Sequence, residues 1–335
     1  MEFSGLYGHN AVKESLGRAI ARDRISNSYV FDGITGVGKK LCADLFAQAL
    51  VCEESSACGV CHACQLARAN THPDIIRVTK EKDKTVIGID VVRSQVLSEA
   101  FLKPRNSRRK VFLIGEGDLL GIDAQNALLK VLEEPPSYVT FIVCVTNKEK
   151  LLPTVLSRSQ VISFFPLGRD LVESYLKDTL LIPADSAALF ARLAQGSIGA
   201  ASELAQKSEK SALIEKSIAS LCSLKNNSQS IREMVDFFTE ESDHIEEIIF
   251  YLTTFLRDCV LVKTDMAESV VFEKELAKIR VFISDIGKKR LISAFDKLNS
   301  LKVKLKQNLN FNATVSETVV RIWEDFHDKG SGHKI

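Results

Sequence analysis

The sequence runs to 335 residues, room for two or three domains, and its 45% hydrophobic and 26% charged residues are those of an ordinary soluble protein. A net charge of +1 excludes a global electrostatic pull toward nucleic acid or membrane, so any DNA contact has to come from a local patch or from partner subunits. The opening MEFSGLYGHNAVKES lacks the apolar run of a signal peptide, and no stretch reaches about 18 uninterrupted apolar residues, which predicts no membrane span and a cytoplasmic location.

Residues 1–167 alternate short β-like runs with helical patterns, which argues for an α/β domain with a parallel sheet. YVFDG (29–33) reads as a strand ending at a glycine turn, and LCADLFAQALVC then carries helical spacing. Between them Gly33, Thr35, Gly36, Val37, Gly38, Lys39 and Lys40 follow the spacing of a phosphate-cradling loop, G-x-x-x-x-G-K-[ST]. Such glycines turn backbone N–H groups inward, and the following helix start adds partial positive charge, with Lys39 reaching for the β/γ-phosphates. Two readings stay open: a site for ATP or ADP, and a glycine-rich turn that binds nothing. Lys40 stands where a serine or threonine hydroxyl would hold Mg²⁺, and an ammonium has no lone pair to offer a metal.

Eight cysteines follow a lopsided distribution, with Cys52, Cys58, Cys61 and Cys64 inside thirteen positions. In a reducing compartment, clustered thiols are metal ligands sooner than disulfides. Four sulfurs suit structural Zn²⁺ with every position filled, so no catalytic position is left open. A haem-attachment pattern at Cys58-Gly-Val-Cys61-His62, a redox pair, free thiols, or His62 or His72 replacing one ligand are the alternatives.

Further along, KPRNSRRK (103–110) puts five basic residues in eight, either a phosphate contact or a solvated flank before a strand. KVFLIGE (110–116) and TFIVCVT (140–146) read as buried strands. A working nucleotide site needs an acid at the end of the first of these. Here Gly115 occupies the metal-holding position, Glu116 the water-polarising one, and Asp118 is a substitute three positions on. DAQNALLKVLEEPP between the strands reads as a helix with Asp123 as N-cap and Pro135 as its stop.

Beyond residue 167 strand signals fade. Ile245, Ile248, Ile249, Leu252, Phe255, Leu256, Cys259 and Val260 form one apolar helical stripe. NNSQS (226–230) reads as a loop, Trp323 as packing on a helical face, and the terminal GSGHKI as frayed. No paired-carboxylate metal site for nucleotidyl transfer is present.

Taken together, FSGLYGHNAVKESLGRAI, RISNSYVFDG, GITGVGKK, the four cysteines, THPD, NALLKVLEEPP and LLPTVLSRS resemble the clamp-loader subunits of bacterial DNA polymerase III. This is the gamma/tau and delta-prime family within the AAA+ ATPases. The resemblance covers most of 1–167 and continues more weakly in NLNFNATVSETVVRIW. It implies an AAA+ domain at 1–167 with a zinc module at 52–64, a helical lid at 168–208 and a helical collar at 209–335. It also implies a ring with gamma/tau and delta that loads a sliding clamp onto primed DNA. Thr146 and Asn147 fall where the family senses the γ-phosphate. Arg158, in Leu156-Ser157-Arg158-Ser159, matches the arginine that reaches a neighbour's ATP, although Ser159 replaces the family's cysteine. Lys40, Gly115 and, where a lid arginine would lie, Gly199 all depart from the gamma/tau motor and look like the delta-prime branch, as does the lack of a long extension past 335. The rival readings are an active gamma/tau-type ATPase and a stand-alone zinc-containing nucleotide-binding regulator.

Overall fold

The computed structural model describes residues 3–206, 208–307 and 310–327, and the chain divides after Glu203 into two compact units. The GSGHKI tail lies outside the described residues. Among the described residues no helix is long and apolar enough to cross a membrane.

The first unit is built on five strands: β1 (Ser28–Gly33), β2 (Ile75–Arg77), β3 (Lys110–Ile114), β4 (Val139–Val145) and β5 (Gln160–Phe164). They pair in parallel in the order β2-β3-β4-β1-β5. Register sets Val30 beside Val143 on one side and Val161 on the other. Because side chains alternate along a strand, the inner strands β1, β3 and β4 feed two cores. Tyr29, Phe31, Leu113, Ile142 and Phe164 face the helices Asn10–Ala21 and Lys39–Val51. Val30, Phe112, Ile114, Phe141 and Val143 face the helix Ile122–Glu133 and an irregular helical run over 89–100. Helices on both faces of a parallel sheet make the α/β arrangement that the sequence led us to expect. β1 lies between β4 and β5, one strand in from the edge, so the loop that leaves its carboxyl end sits at the carboxyl ends of the parallel strands, where such folds place ligands.

One detail of the helix Ile122–Glu133 differs from the sequence reading, and its stop before Pro135 agrees with it. Gly121, not Asp123, is the N-cap of Ile122–Glu133. Asp123 lies inside the first turn, where its charge faces the positive helix end. The helix stops at Glu133, two residues before Pro135, because the residue preceding a proline is pushed out of helical geometry.

The second unit is all helical: Ser208–Ser223, Gln229–Glu240, Ile245–Val262, Leu276–Phe282, Lys288–Leu305 and Phe311–His327. Ile248, Ile249, Leu252, Phe255, Leu256 and Cys259 of the predicted stripe are fully buried, and Ile245 and Val260 at its ends are half-buried. Tyr251, Thr253, Thr254 and Asp258 are buried too, so this helix is covered nearly all round, as the central helix of a bundle is. NNSQS is only partly a loop, since Gln229 and Ser230 already belong to the next helix. Trp323 is half-buried and stacks on His327, with ring centroids 4.2 Å apart, while its indole N–H donates to the Asn227 carbonyl.

Candidate functional site

The phosphate-type loop joins β1 to the helix Lys39–Val51, and every carbonyl from 33 to 37 accepts a hydrogen bond from this chain. The Lys39 ammonium donates to the carbonyls of Gly33 and, at 2.7 Å, Ile34. Burial lowers its pKa. The Ser197 hydroxyl donates to the Thr35 carbonyl and the Gly199 N–H to the Gly36 carbonyl, both at 2.9 Å. His9 Nε2 lies 2.9 Å from the Val37 carbonyl, so that nitrogen carries the proton. Burial lowers the pKa of His9. A Cβ added to Gly199 would lie 2.7 Å from the Gly36 Cα. The segment 197–199 is therefore packed on the loop backbone to backbone. His9 and Ser197 are contacts the sequence reading missed. Their only signals are a histidine before the first helix and a serine in QGS before the helix Ile198–Gln206.

Lys40 runs from the loop across Gly115. A Cβ at 115 would meet the Lys40 Cε at 3.4 Å, and the Lys40 ammonium pairs with Glu116 at 3.2 Å. Asp118 does not take over the role of the missing acid. Its carboxylate accepts from the Thr146 N–H at 2.8 Å and the Thr146 hydroxyl at 3.0 Å, with Lys150 3.6 Å away. Asn147 is turned to its own backbone, its side-chain oxygen accepting from the Glu149 N–H. Around these groups lies a cleft of about 800 Å³ lined by Leu6, Tyr7, Val37, Lys40, Thr146 and Tyr175 among others. The structure thus brings the loop, Glu116 and Thr146 together. Asn147 and Arg158 are not among the residues lining the cleft.

The four clustered cysteines converge, with all four Sγ atoms within 4.8 Å of one another. Cys52–Cys58 is 3.7 Å, and Cys52–Cys61 and Cys58–Cys64 are both 3.9 Å. These separations are far beyond a disulfide and match the edge of a ZnS₄ tetrahedron, about 3.8 Å for a Zn–S bond of about 2.3 Å. Backbone N–H groups of Cys61 and Cys64 point at the sulfurs of Cys58 and Cys61, both at 3.4 Å. Gln48 adds an independent sign of fit. Its amide nitrogen is buried with no nitrogen or oxygen partner and lies against the Cys64 thiol, where a thiolate would accept from it. The histidines stand outside this cluster, and His72 Nδ1 accepts from the Asp74 N–H instead.

Arg158 follows the short helix Pro153–Leu156. Its Nη1 donates to the Thr154 carbonyl at 3.1 Å, and its Nη2 is 3.0 Å from the Glu133 carboxylate. In the basic run 103–110 the flank role dominates. The backbone N–H groups of Arg105 and Asn106 bind Asp74, Arg109 pairs with Asp23, and Lys110 is buried against Glu99.

Residues 8–168 match the family model described as DNA polymerase III, delta subunit, and residues 209–316 match the one described as DNA polymerase III, delta subunit, C terminal. The chain belongs to the clamp-loader family of DNA polymerase III subunits. It is 31% identical over 204 residues to the gamma/tau subunit of Mycoplasma pneumoniae, covering 59% of this chain and 29% of that protein. It is 26% identical to the tau subunit of Bacillus subtilis over 98% of this chain and 62% of that protein. Against the B. subtilis delta' subunit it is 26% identical over 93% of this chain and 95% of the relative. The clamp-loader chain thus spans about a third of the Mycoplasma gamma/tau relative and under two thirds of the B. subtilis tau subunit. Among solved structures, a gamma subunit-related protein from Thermotoga maritima aligns over 93% of this chain and 99% of that one, with 17% identity and a TM-score of 0.41. The T. maritima RuvB branch-migration motor aligns over 63% and 64%, with 16% identity and a TM-score of 0.41.

Proposed function

We propose that this chain is the delta-prime subunit of a clamp loader. In this reading it does not turn over ATP at its own loop, and it supplies Arg158 to the ATP site of a neighbouring gamma/tau subunit while a sliding clamp is loaded onto primed DNA. The observation that carries the reading is the Lys40–Glu116 pair laid across Gly115. It puts an ammonium where Mg²⁺ needs oxygen ligands and ties up the one acid left at that strand end. The close packing of Gly199 on Gly36 leaves no room for a lid arginine, and the bonding of Asp118 to Thr146 removes the substitute acid. The match along 95% of a relative named delta' supports the same branch.

The remaining parts of the proposal follow. Residues 1–167 form the AAA+ domain, 168–208 the lid and 209–335 the collar that joins gamma/tau and delta in a ring. Delta-prime is then the comparatively rigid member against which the others move. Cys52, Cys58, Cys61 and Cys64 hold Zn²⁺, which braces the 52–64 knuckle and offers no open position for chemistry.

A loader reconstituted with gamma/tau, delta and the clamp tests this. Arg158→Ala leaves ring assembly intact and slows hydrolysis at the one site it completes by about 10³-fold or more, the range for an arginine finger. In the total DNA-dependent rate this reads as the loss of that site's share. Lys39→Ala changes the rate by less than about twofold, since Lys39 serves its own loop carbonyls. Unchanged turnover in Arg158→Ala sinks the trans role, and a large loss in Lys39→Ala shows that the loop itself works.

A further inference from the structure

The guanidinium of Arg158 is anchored from two elements. One terminal nitrogen donates to the Thr154 carbonyl at 3.1 Å, within its own turn, and the other meets Glu133 Oε1 at 3.0 Å. Glu133 is the last residue of the helix Ile122–Glu133, where the partial negative charge of the helix end disfavours a carboxylate. A side chain placed against its local preference calls for a partner that offsets it, and the partner here is Arg158. An arginine held only by its neighbour in sequence still swings on its long stem. A second anchor from another helix fixes the plane of the fork. The Arg158 side chain keeps 37% of its surface exposed, and only part of the fork's five N–H donors is used, by the Thr154 carbonyl, the Ser157 hydroxyl at 3.4 Å and Glu133.

We infer that Glu133 is the positioning residue for Arg158, setting the orientation in which the finger meets the partner's phosphate. The inference rests on the trans role given to Arg158 above. Glu133 is not among the residues lining the cleft and acts only through the guanidinium. Glu134, adjacent and of the same residue type, is exposed and serves as the matched control.

Single-turnover hydrolysis by the reconstituted loader reads the effect, with gel filtration confirming that each variant enters the ring. Glu133→Ala lowers kcat by about 10- to 100-fold at the site Arg158 completes, with KM unchanged, as expected for a misaligned catalytic group. Glu133→Gln keeps a carbonyl oxygen for Nη2 and recovers most of the rate. Glu134→Ala is unchanged, and the double variant with Arg158→Ala is no slower than Arg158→Ala alone. A normal kcat in Glu133→Ala, a faster one (which would make Glu133 a mask), or additivity in the double variant overturns the inference while the finger stands. If Arg158→Ala itself is silent, the finger reading fails and takes this inference with it.

Discussion

Asp74 is fully buried, and its two carboxylate oxygens collect three donors: the Arg105 N–H at 2.6 Å, the Asn106 N–H at 2.8 Å and the Ser107 hydroxyl at 2.9 Å. Burial alone pushes a carboxyl pKa up. Here the three hydrogen bonds outweigh it and hold Asp74 below its usual range. The sign follows: the folded state favours the ionised form, so the stabilisation is present above the unfolded pKa of about 3.9 and is lost as pH falls through the folded value. Asp74→Asn removes the charge and presents an NH₂ group to donors, at a cost of about 2–4 kcal/mol at pH 7. Urea midpoints should separate wild type and variant widely at pH 7 and converge below about pH 4. A gap independent of pH would mean that the side chain acts by shape alone. The sequence reading saw THPD and saw the basic run, and it weighed the run by its charges. What Asp74 uses is two backbone N–H groups and a serine hydroxyl of the run, 31 to 33 positions on, and a contact of that range leaves no mark in composition or period. Arg158 was legible as a motif, yet Glu133 was read only as part of a helix end, for the same reason.

At the scale of elements, the strands that were easy to read are those buried on both faces. β3 and β4 are buried along their whole length, apolar but for Lys110 and Thr140, and lie inside the sheet. β2 has three residues and β5 alternates exposed with buried, and both lie at edges, where short length and half-exposure erase the apolar run. Neither was identified from sequence. The phosphate loop was legible because its glycines are fixed by a strand before and a helix after. Its docking to residues 197–199 was not, because Gly199 reads only as a missing arginine. In the structure Gly199 is a contact. Its N–H holds the Gly36 carbonyl, and a side chain there would strike the loop backbone at 2.7 Å. Gly199→Arg should force the two backbones apart and destabilise the fold by about 1–3 kcal/mol, as overpacking does. Hydrogen exchange should quicken over 33–38 and 197–201. The variant should gain no Mg²⁺-dependent ATPase, because Lys40 and Gly115 still deny the metal its ligands. Mg²⁺-dependent turnover gained by this one substitution would show that the Gly199–Gly36 contact, and not the metal position, limits the loop.

At the scale of the whole chain, the two units carry separate reporters. The four-cysteine cluster lies in the first, and the lone tryptophan, Trp323, lies in the second. A closed Cys₄ site would order a segment that opens on the exposed polar run Glu53, Glu54 and Ser55, and structural zinc commonly contributes folding energy outright. Purified chain should therefore contain about one zinc. Cys61→Ser should lose it, and strong chelation in mild denaturant should release it and open the knuckle at 52–64 to proteolysis. The sheet has two cores built mainly outside the knuckle, on Phe31, Phe46 and Phe164 on one face, which only Ala63 and Cys61 join from 52–64, and on Phe112 and Phe141 on the other, so it should keep its secondary structure by circular dichroism. Trp323 fluorescence should hold at the native value, because the stack on His327 and the bond to the Asn227 carbonyl draw on nothing in the first unit. Loss of the tryptophan signal in step with zinc release would instead make the metal a condition of folding for the entire chain. A zinc content near zero with intact proteolytic resistance would return the four thiols to a purely packed role.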